Sequence, residues 1–253
     1  MRDFMNKNSV FYLQREVWDD IKEYKENFKE VIKQRERNRI PFFHQSPQYP
    51  YRQHLVEYIK RVCMEKKLSY CCLHLCVYLL DIFMDNHSII PERVLIIANV
   101  CLLIAAKFEE SNMTIPKIAD LNAAINNRYT LKEYQDLELI VLKFFHWYIM
   151  FPTAAHYTHY YMQAIITNEE VKDREGGVRA LVYNLHEAVT EYLDQIINNI
   201  HYMQCYPPSK LAAAILAASR LEVGLSSWNE QLENLTDYKK EDIHEVLFIL
   251  MVK

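Results

Sequence analysis

Cys71, Cys72, His74 and Cys76 form the densest cluster of metal-ligating side chains in the chain, and zinc is the chemistry they raise. Structural zinc draws ligand pairs from two segments at CxxC-type spacing, and one helix cannot close a tetrahedron alone. These four share one predicted helix, so no metal is expected. His156 and His159 could share a helical face three residues apart, but no third ligand is indicated. Nucleophile and metalloprotease signatures are absent: no GxSxG, no HExxH and no Cys/His nucleophile signature is present. Loops that cradle phosphate need glycine where the backbone approaches the ligand, and the chain has three glycines in 253 residues. No catalytic residue and no cofactor are therefore expected, and the protein reads as something other than an enzyme. Arg128-Tyr129-Thr130-Leu131 fits a loose RxxL degradation signal, but a helix-start turn explains it better.

The composition limits the partners. The hydrophobic share is 51% with 25% charged residues, which is globular rather than disordered. A net charge of -4 gives no push toward nucleic acid or an anionic membrane. The longest apolar stretch, 94–106, is broken only by Asn99 and is too short to span a bilayer. The first residues open no apolar run, so no secretion signal is expected, and six irregularly spaced cysteines are expected as reduced thiols. So few glycines argue against a turn-rich β fold and for an all-α one.

The elements that must position any site follow from periodicity. Val17, Ile21, Tyr24, Phe28 and Val31 alternate steps of four and three, one stripe of an N-terminal helix. The basic run at 33–39 suits the negative end of that helix's dipole better than an RNA-binding patch. Prolines at 41, 47 and 50 then mark an extended linker. Helices are predicted at roughly 51–65, 69–85, 91–108, 115–124 and 131–145, and again at 154–166, 177–195, 198–204, 208–223 and 239–252. Two of these, at 91–108 and 208–223, are apolar on every face and must be buried on every face. Each begins with proline, and the offset between them is about 110 residues, too long for a solenoid repeat. The reading is all-α: two tandem five-helix domains preceded by an N-terminal helix, with boundaries at 1–50, 51–150 and 151–253.

Several blocks resemble the cyclin box. Tyr51-Arg52-Gln53-His54-Leu55-Val56-Glu57-Tyr58 resembles its M-R-x-x-L-x-D-W opening. Residues 73–83 resemble L-H-L-A-V-x-x-x-D-R-F, and residues 102–110 resemble L-L-A-S-K-F-E-E. Glu138 to Leu142 and Phe151-Pro152-Thr153 match the last helix and the hinge to the second box. The resemblance implies a regulatory subunit that binds and activates a cyclin-dependent Ser/Thr kinase in cell-cycle control, as a heterodimer in the nucleus and/or cytoplasm. It implies no nucleic-acid or membrane partner. An adaptor of the same fold, serving transcription or RNA-processing factors with little kinase activation, is the alternative.

The resemblance also assigns roles. Arg52 and Asp81 are implied to form an internal ion pair. Lys107 and Glu138 are implied to hold backbone groups of the kinase, with Phe108, Leu142 and Ile149 supplying apolar contact. Taken without it, Lys107 is a helix-end cation and Glu138 a solvated carboxylate. The family's groove for basic-hydrophobic peptides falls on Tyr51, His54, Tyr58 and Arg61. Arg61 stands where a peptide arginine would need a carboxylate, so this groove is expected to be degenerate.

Overall fold

The computed structural model describes residues 24–172 and 178–252, and the first two positions of the predicted N-terminal stripe, Val17 and Ile21, lie outside them. The chain divides into two compact units, Arg39–Thr153 and Met1–Asn38 together with Ala154–Lys253. They are termed the N-terminal and C-terminal units. Among the described residues there is no strand, and no helix is long and apolar enough to cross a membrane.

In the N-terminal unit, α2 (Arg52–Lys66), α3 (Tyr70–Asn86), α5 (Ile118–Ala123) and α6 (Leu131–Phe144) pack around α4 (Val94–Glu109). A single 3-10 turn, Pro91–Arg93, leads into α4, where proline costs no hydrogen bond. Every α4 residue from Ile96 to Ala106 is buried. Asn99 is the polar exception, and its side chain ties three neighbours together. It accepts from the Tyr58 hydroxyl at 2.6 Å and donates to Leu121 O at 2.9 Å and Tyr134 Oη at 3.0 Å. A buried amide with its bonds satisfied thus fixes α2, α5 and α6 against the central helix.

The linker of this unit is a strap rather than a loose tether. Asp85 accepts backbone N–H groups from Phe43 at 2.6 Å and Gln45 at 2.7 Å, and the Gln48 amide donates to Ile89 O. Between the two clamped amides His44 takes a left-handed φ of 56° and packs its ring on Tyr49.

The C-terminal unit surrounds its own central helix, α11 (Pro208–Glu222). Packed on it are α7 (Ala154–Tyr161), α9 (Val178–Asn198), α12 (Glu230–Thr236), α13 (Lys240–Met251) and, from before the N-terminal unit, α1 (Lys25–Arg37). The short α8 (Asn168–Lys172) and α10 (Ile200–Cys205) complete it. Segments α8 and α12 are additions to the sequence-predicted set. Residues 1–50, set apart in the sequence, divide: α1 packs in the C-terminal unit and the strap in the N-terminal one. The α1 stripe also differs from expectation. Tyr24 and Val31 are exposed, and Ile32 is buried instead.

Candidate functional site

The Lys107 end of α4 is anchored by its successor residues. Glu110 N–H caps Ala106 O, and the Glu110 carboxylate accepts the Ser69 N–H at the start of α3, at 2.6 Å. The facing helix, α6, starts at a capping box. Glu133 N–H donates to the Thr130 hydroxyl at 3.3 Å, and Thr130 N–H donates to the Glu133 carboxylate at 2.8 Å. That turn accounts for Arg128 to Leu131. With both helices fixed, Lys107 Nζ donates to Glu138 Oε1 at 2.5 Å. The Lys107 side chain keeps 47% of its exposure and Glu138 16%, so the pair stands at the surface.

The apolar residues expected beside the pair differ in exposure. Phe108 is 50% exposed and Leu142 half-buried, but Ile149 is only 7% exposed. Ile149 therefore offers almost no surface, which corrects the expectation that it contributes contact area. The exposed large side chain of that segment is Trp147, at 63%, with Leu139 and Met150 also exposed. Trp147 follows the end of α6, where its N–H caps Leu142 O at 2.8 Å and His146 N–H caps Lys143 O at 3.0 Å. Both His146 (φ 51°) and Trp147 (φ 62°) are left-handed without being glycine. Such a conformation costs about 1–2 kcal/mol per residue. An aromatic cluster holds it: Phe145 packs on Phe144 and Phe151, and Phe151 on Tyr148 and Tyr78, with centroids 4.8 to 5.6 Å apart. Sequence reasoning missed Trp147 because no residue type announces two consecutive left-handed positions.

Arg52 and Asp81 meet in the core of the N-terminal unit. Nε and a terminal nitrogen of Arg52 each donate to one Asp81 oxygen at 2.9 Å, and both residues are buried. The fork ties α2 to α3. The four groove positions do not share one environment. Tyr51, His54 and Arg61 are exposed, whereas Tyr58 is buried. Desolvation pushes the Tyr58 ionisation up to about 12, against the pull of its Asn99 hydrogen bond. The Arg61 guanidinium lies 5.8 Å from the Tyr58 ring centroid, so a cation covers the aromatic face.

The cysteine cluster is a feature of the core. Cys72, His74 and Cys76 are buried on α3, and all six cysteines of the chain are free thiols. Burial pushes the thiols of Cys71, Cys72, Cys76 and Cys101 well up and that of Cys63 to about 12, which keeps them protonated and unreactive.

An all-α pair of units, each wrapped around one wholly buried helix, with an exposed ammonium–carboxylate pair on the first, is the architecture of a cyclin-box protein. Comparison with known proteins agrees. Residues 22–150 match the cyclin N-terminal domain and residues 152–252 the cyclin C-terminal domain. The chain is 34% identical to Xenopus laevis cyclin-J over 201 residues, covering 77% of this chain and 52% of that protein. It is 30% identical to Homo sapiens cyclin-J over 214 residues, 82% and 55% respectively. It therefore spans about half the length of these curated relatives. A viral cyclin from Herpesvirus saimiri superposes with a TM-score of 0.69 at 16% identity, covering 88% of this chain and 96% of that one. The chain belongs to the cyclin family. Within that family it resembles cyclin-J, a likeness also carried by Gln45-Ser46-Pro47-Gln48 of the strap and by residues 78–85.

Proposed function

We propose that the N-terminal unit docks a cyclin-dependent Ser/Thr kinase on the Lys107–Glu138 edge and activates it, in cell-cycle control, in the nucleus and/or cytoplasm. The observation that carries this reading is the pair itself: opposite charges in contact on an exposed, grease-ringed edge. An ammonium has three N–H groups, so one bond to Glu138 leaves two for backbone carbonyls of a partner. The Glu138 carboxylate has further lone pairs for backbone N–H groups. Phe108, Leu142, Leu139 and Trp147 exclude water around them, and a charged hydrogen bond desolvated in this way is worth about 2–5 kcal/mol on truncation. The capped backbone at Trp147 lowers the ordering cost of binding.

Activation is then a population shift. The chain binds the kinase conformation whose regulatory helix is swung in, where a kinase Glu pairs with the ATP-positioning Lys. All phosphoryl chemistry stays on the kinase. Family membership and the superposition on a chain of the yeast RNA Pol II CTD kinase CTDK-1 complex (TM-score 0.58, 15% identity, 87% of this chain and 69% of that one) support the reading. The groove at Tyr51, His54, Tyr58 and Arg61 does not recruit basic-hydrophobic peptides. Its buried tyrosine is covered by a cation that repels a peptide arginine, and tight binding of such a peptide there would refute this.

The test is co-purification of the kinase with wild type, with Lys107→Ala/Glu138→Ala and with the charge exchange Lys107→Glu/Glu138→Lys. The exchange keeps an ion pair at the same edge but inverts what it offers a partner. Loss of kinase binding and activation in both variants is expected. Retention of full affinity in either one sinks the site assignment, and binding without activation by the wild type favours the adaptor.

A further inference from the structure

Helix α1 is held on the C-terminal unit by contacts of two kinds. Phe28 packs on Tyr160 with centroids 5.1 Å apart, and Ile32, one turn on, is buried and accepts the Tyr157 hydroxyl at its carbonyl, 3.0 Å. Another turn on, the Glu36 carboxylate accepts the Ser209 N–H at 2.7 Å and the Ser209 hydroxyl at 2.8 Å, and Ser209 is also bonded to the Tyr238 hydroxyl at 2.8 Å. Ser209 is the second residue of α11, so Glu36 places a negative charge at the positive end of the central helix. On the adjoining face Lys29 and Lys33 both donate to Asp237, Lys29 at 2.5 Å. Asp237 caps the C-terminus of α12 in a left-handed conformation. A carboxylate at that end opposes the helix dipole and needs cations, which α1 supplies.

The seat is therefore polarised: positive at Ser209, negative at Asp237, with tyrosine between them. Its occupant is weakly held for a core element. α1 has 13 residues and no side-chain cap at its start, and isolated helices of that length are marginal in water. Its apolar Val31 and the preceding Tyr24 are exposed. Elements with few buried contacts and solvent-facing bonds open below the global unfolding free energy.

We propose that α1 is a charge-latched helix that leaves its seat without unfolding the C-terminal unit. The seat then accepts an amphipathic helix bearing an aromatic residue, a branched aliphatic residue and a glutamate at four-residue steps, with lysines one residue after the first two. The fit is that of α1 itself, and the polarity of the two ends fixes the direction in which such a helix lies. The proposal is independent of the kinase-docking edge.

Amide hydrogen exchange on the whole chain tests it, with a labelled synthetic peptide of residues 24–38 as the probe. In Glu36→Gln one oxygen acceptor and the charge are lost, so α1 amides should exchange about tenfold faster or more while α4 and the middle of α11 are unchanged. Lys29→Ala/Lys33→Ala should act in the same direction through Asp237. Both variants should take up the peptide more readily than wild type, and a peptide carrying Glu36→Gln should bind less well. If α1 exchanges only together with α11 in every variant, the helix is a fixed part of the core and the proposal fails. It fails equally if α1 loosens and the peptide is not taken up.

Discussion

Each unit ends its buried central helix in a cation paired with a carboxylate from another helix, yet the two cations point to opposite fates. Lys107 closes α4 and meets Glu138 at the surface. Arg220 lies in the last turn of α11 with 0% exposure. Its Nε donates to Ser226 O at 2.7 Å, one terminal nitrogen to Ile165 O and to Glu170 Oε2 at 3.2 Å, and the other to Glu170 Oε1. The guanidinium's planar fork reaches three acceptor groups at once, which is what lets a charge persist with no water around it. Lysine, a point charge on a flexible stem, suits the proposed docking task, in which a partner's backbone is met. The same position of a repeated fold is a rivet in one unit and, in the docking role proposed above, a handle in the other.

The largest effect that can break this comparison is Arg220→Ala. Removing one side of a buried, hydrogen-bonded pair strands the rest, so the C-terminal unit should lose about 3–5 kcal/mol in denaturant unfolding. A loss below about 1 kcal/mol would place Arg220 among ordinary surface pairs and end the contrast.

A smaller effect, with a definite sign, comes from pH. Burial pulls the Glu170 carboxyl upward, but hydrogen bonds from Arg220 and from Thr167, with the Arg220 charge, outweigh it and hold the group below the usual glutamate range. A carboxyl depressed in the fold stabilises above its unfolded value, about 4.3, and that contribution drains away as pH falls through its folded value. Asp237, depressed by Lys29 and Lys33 against the pull of its own burial, adds to the same acid limb. Stability of the wild type should therefore fall with acid below about pH 4.5. In Glu170→Gln the curve should start lower and slope less. An unchanged slope would remove Glu170 from the acid limb.

How much of this was legible in the sequence depends on the element. The two central helices were, because residues 94–106 and 211–218 are apolar on every face and only burial on every side accommodates that. The segments 168–172 and 230–236 were not, since a helix of five or seven residues shows no full period. Val31 and Ile32 are adjacent and both apolar, so α1 could be read one residue out of register, and Glu36, one turn beyond Ile32, was read only as part of the basic run at the helix end. Arg220 was invisible as a rivet: a cation near a helix end reads as a dipole partner, and its carboxylate lies 50 residues away in a polar stretch. Lys107 and Glu138 were singled out through their resemblance to a family pattern. Trp147 escaped both routes, since its exposure follows from backbone geometry that no local residue type encodes.

The smallest expected effect is also the one that separates handle from rivet most sharply. Lys107→Ala/Glu138→Ala should change the stability of the free chain by less than about 1 kcal/mol, because an exposed pair gains little Coulomb energy and must order a long side chain. Thermal unfolding of the free protein at low and high salt measures it, and salt should shrink even that difference. The proposed docking role requires this number to be small. A pair that contributes little to its own fold, held between two independently anchored helices, is what that role calls for. Should the double variant lose as much stability as Arg220→Ala, the Lys107–Glu138 contact would be a structural tie of the N-terminal unit. Any loss of kinase binding would then follow from unfolding, and the two central helices would end in the same device.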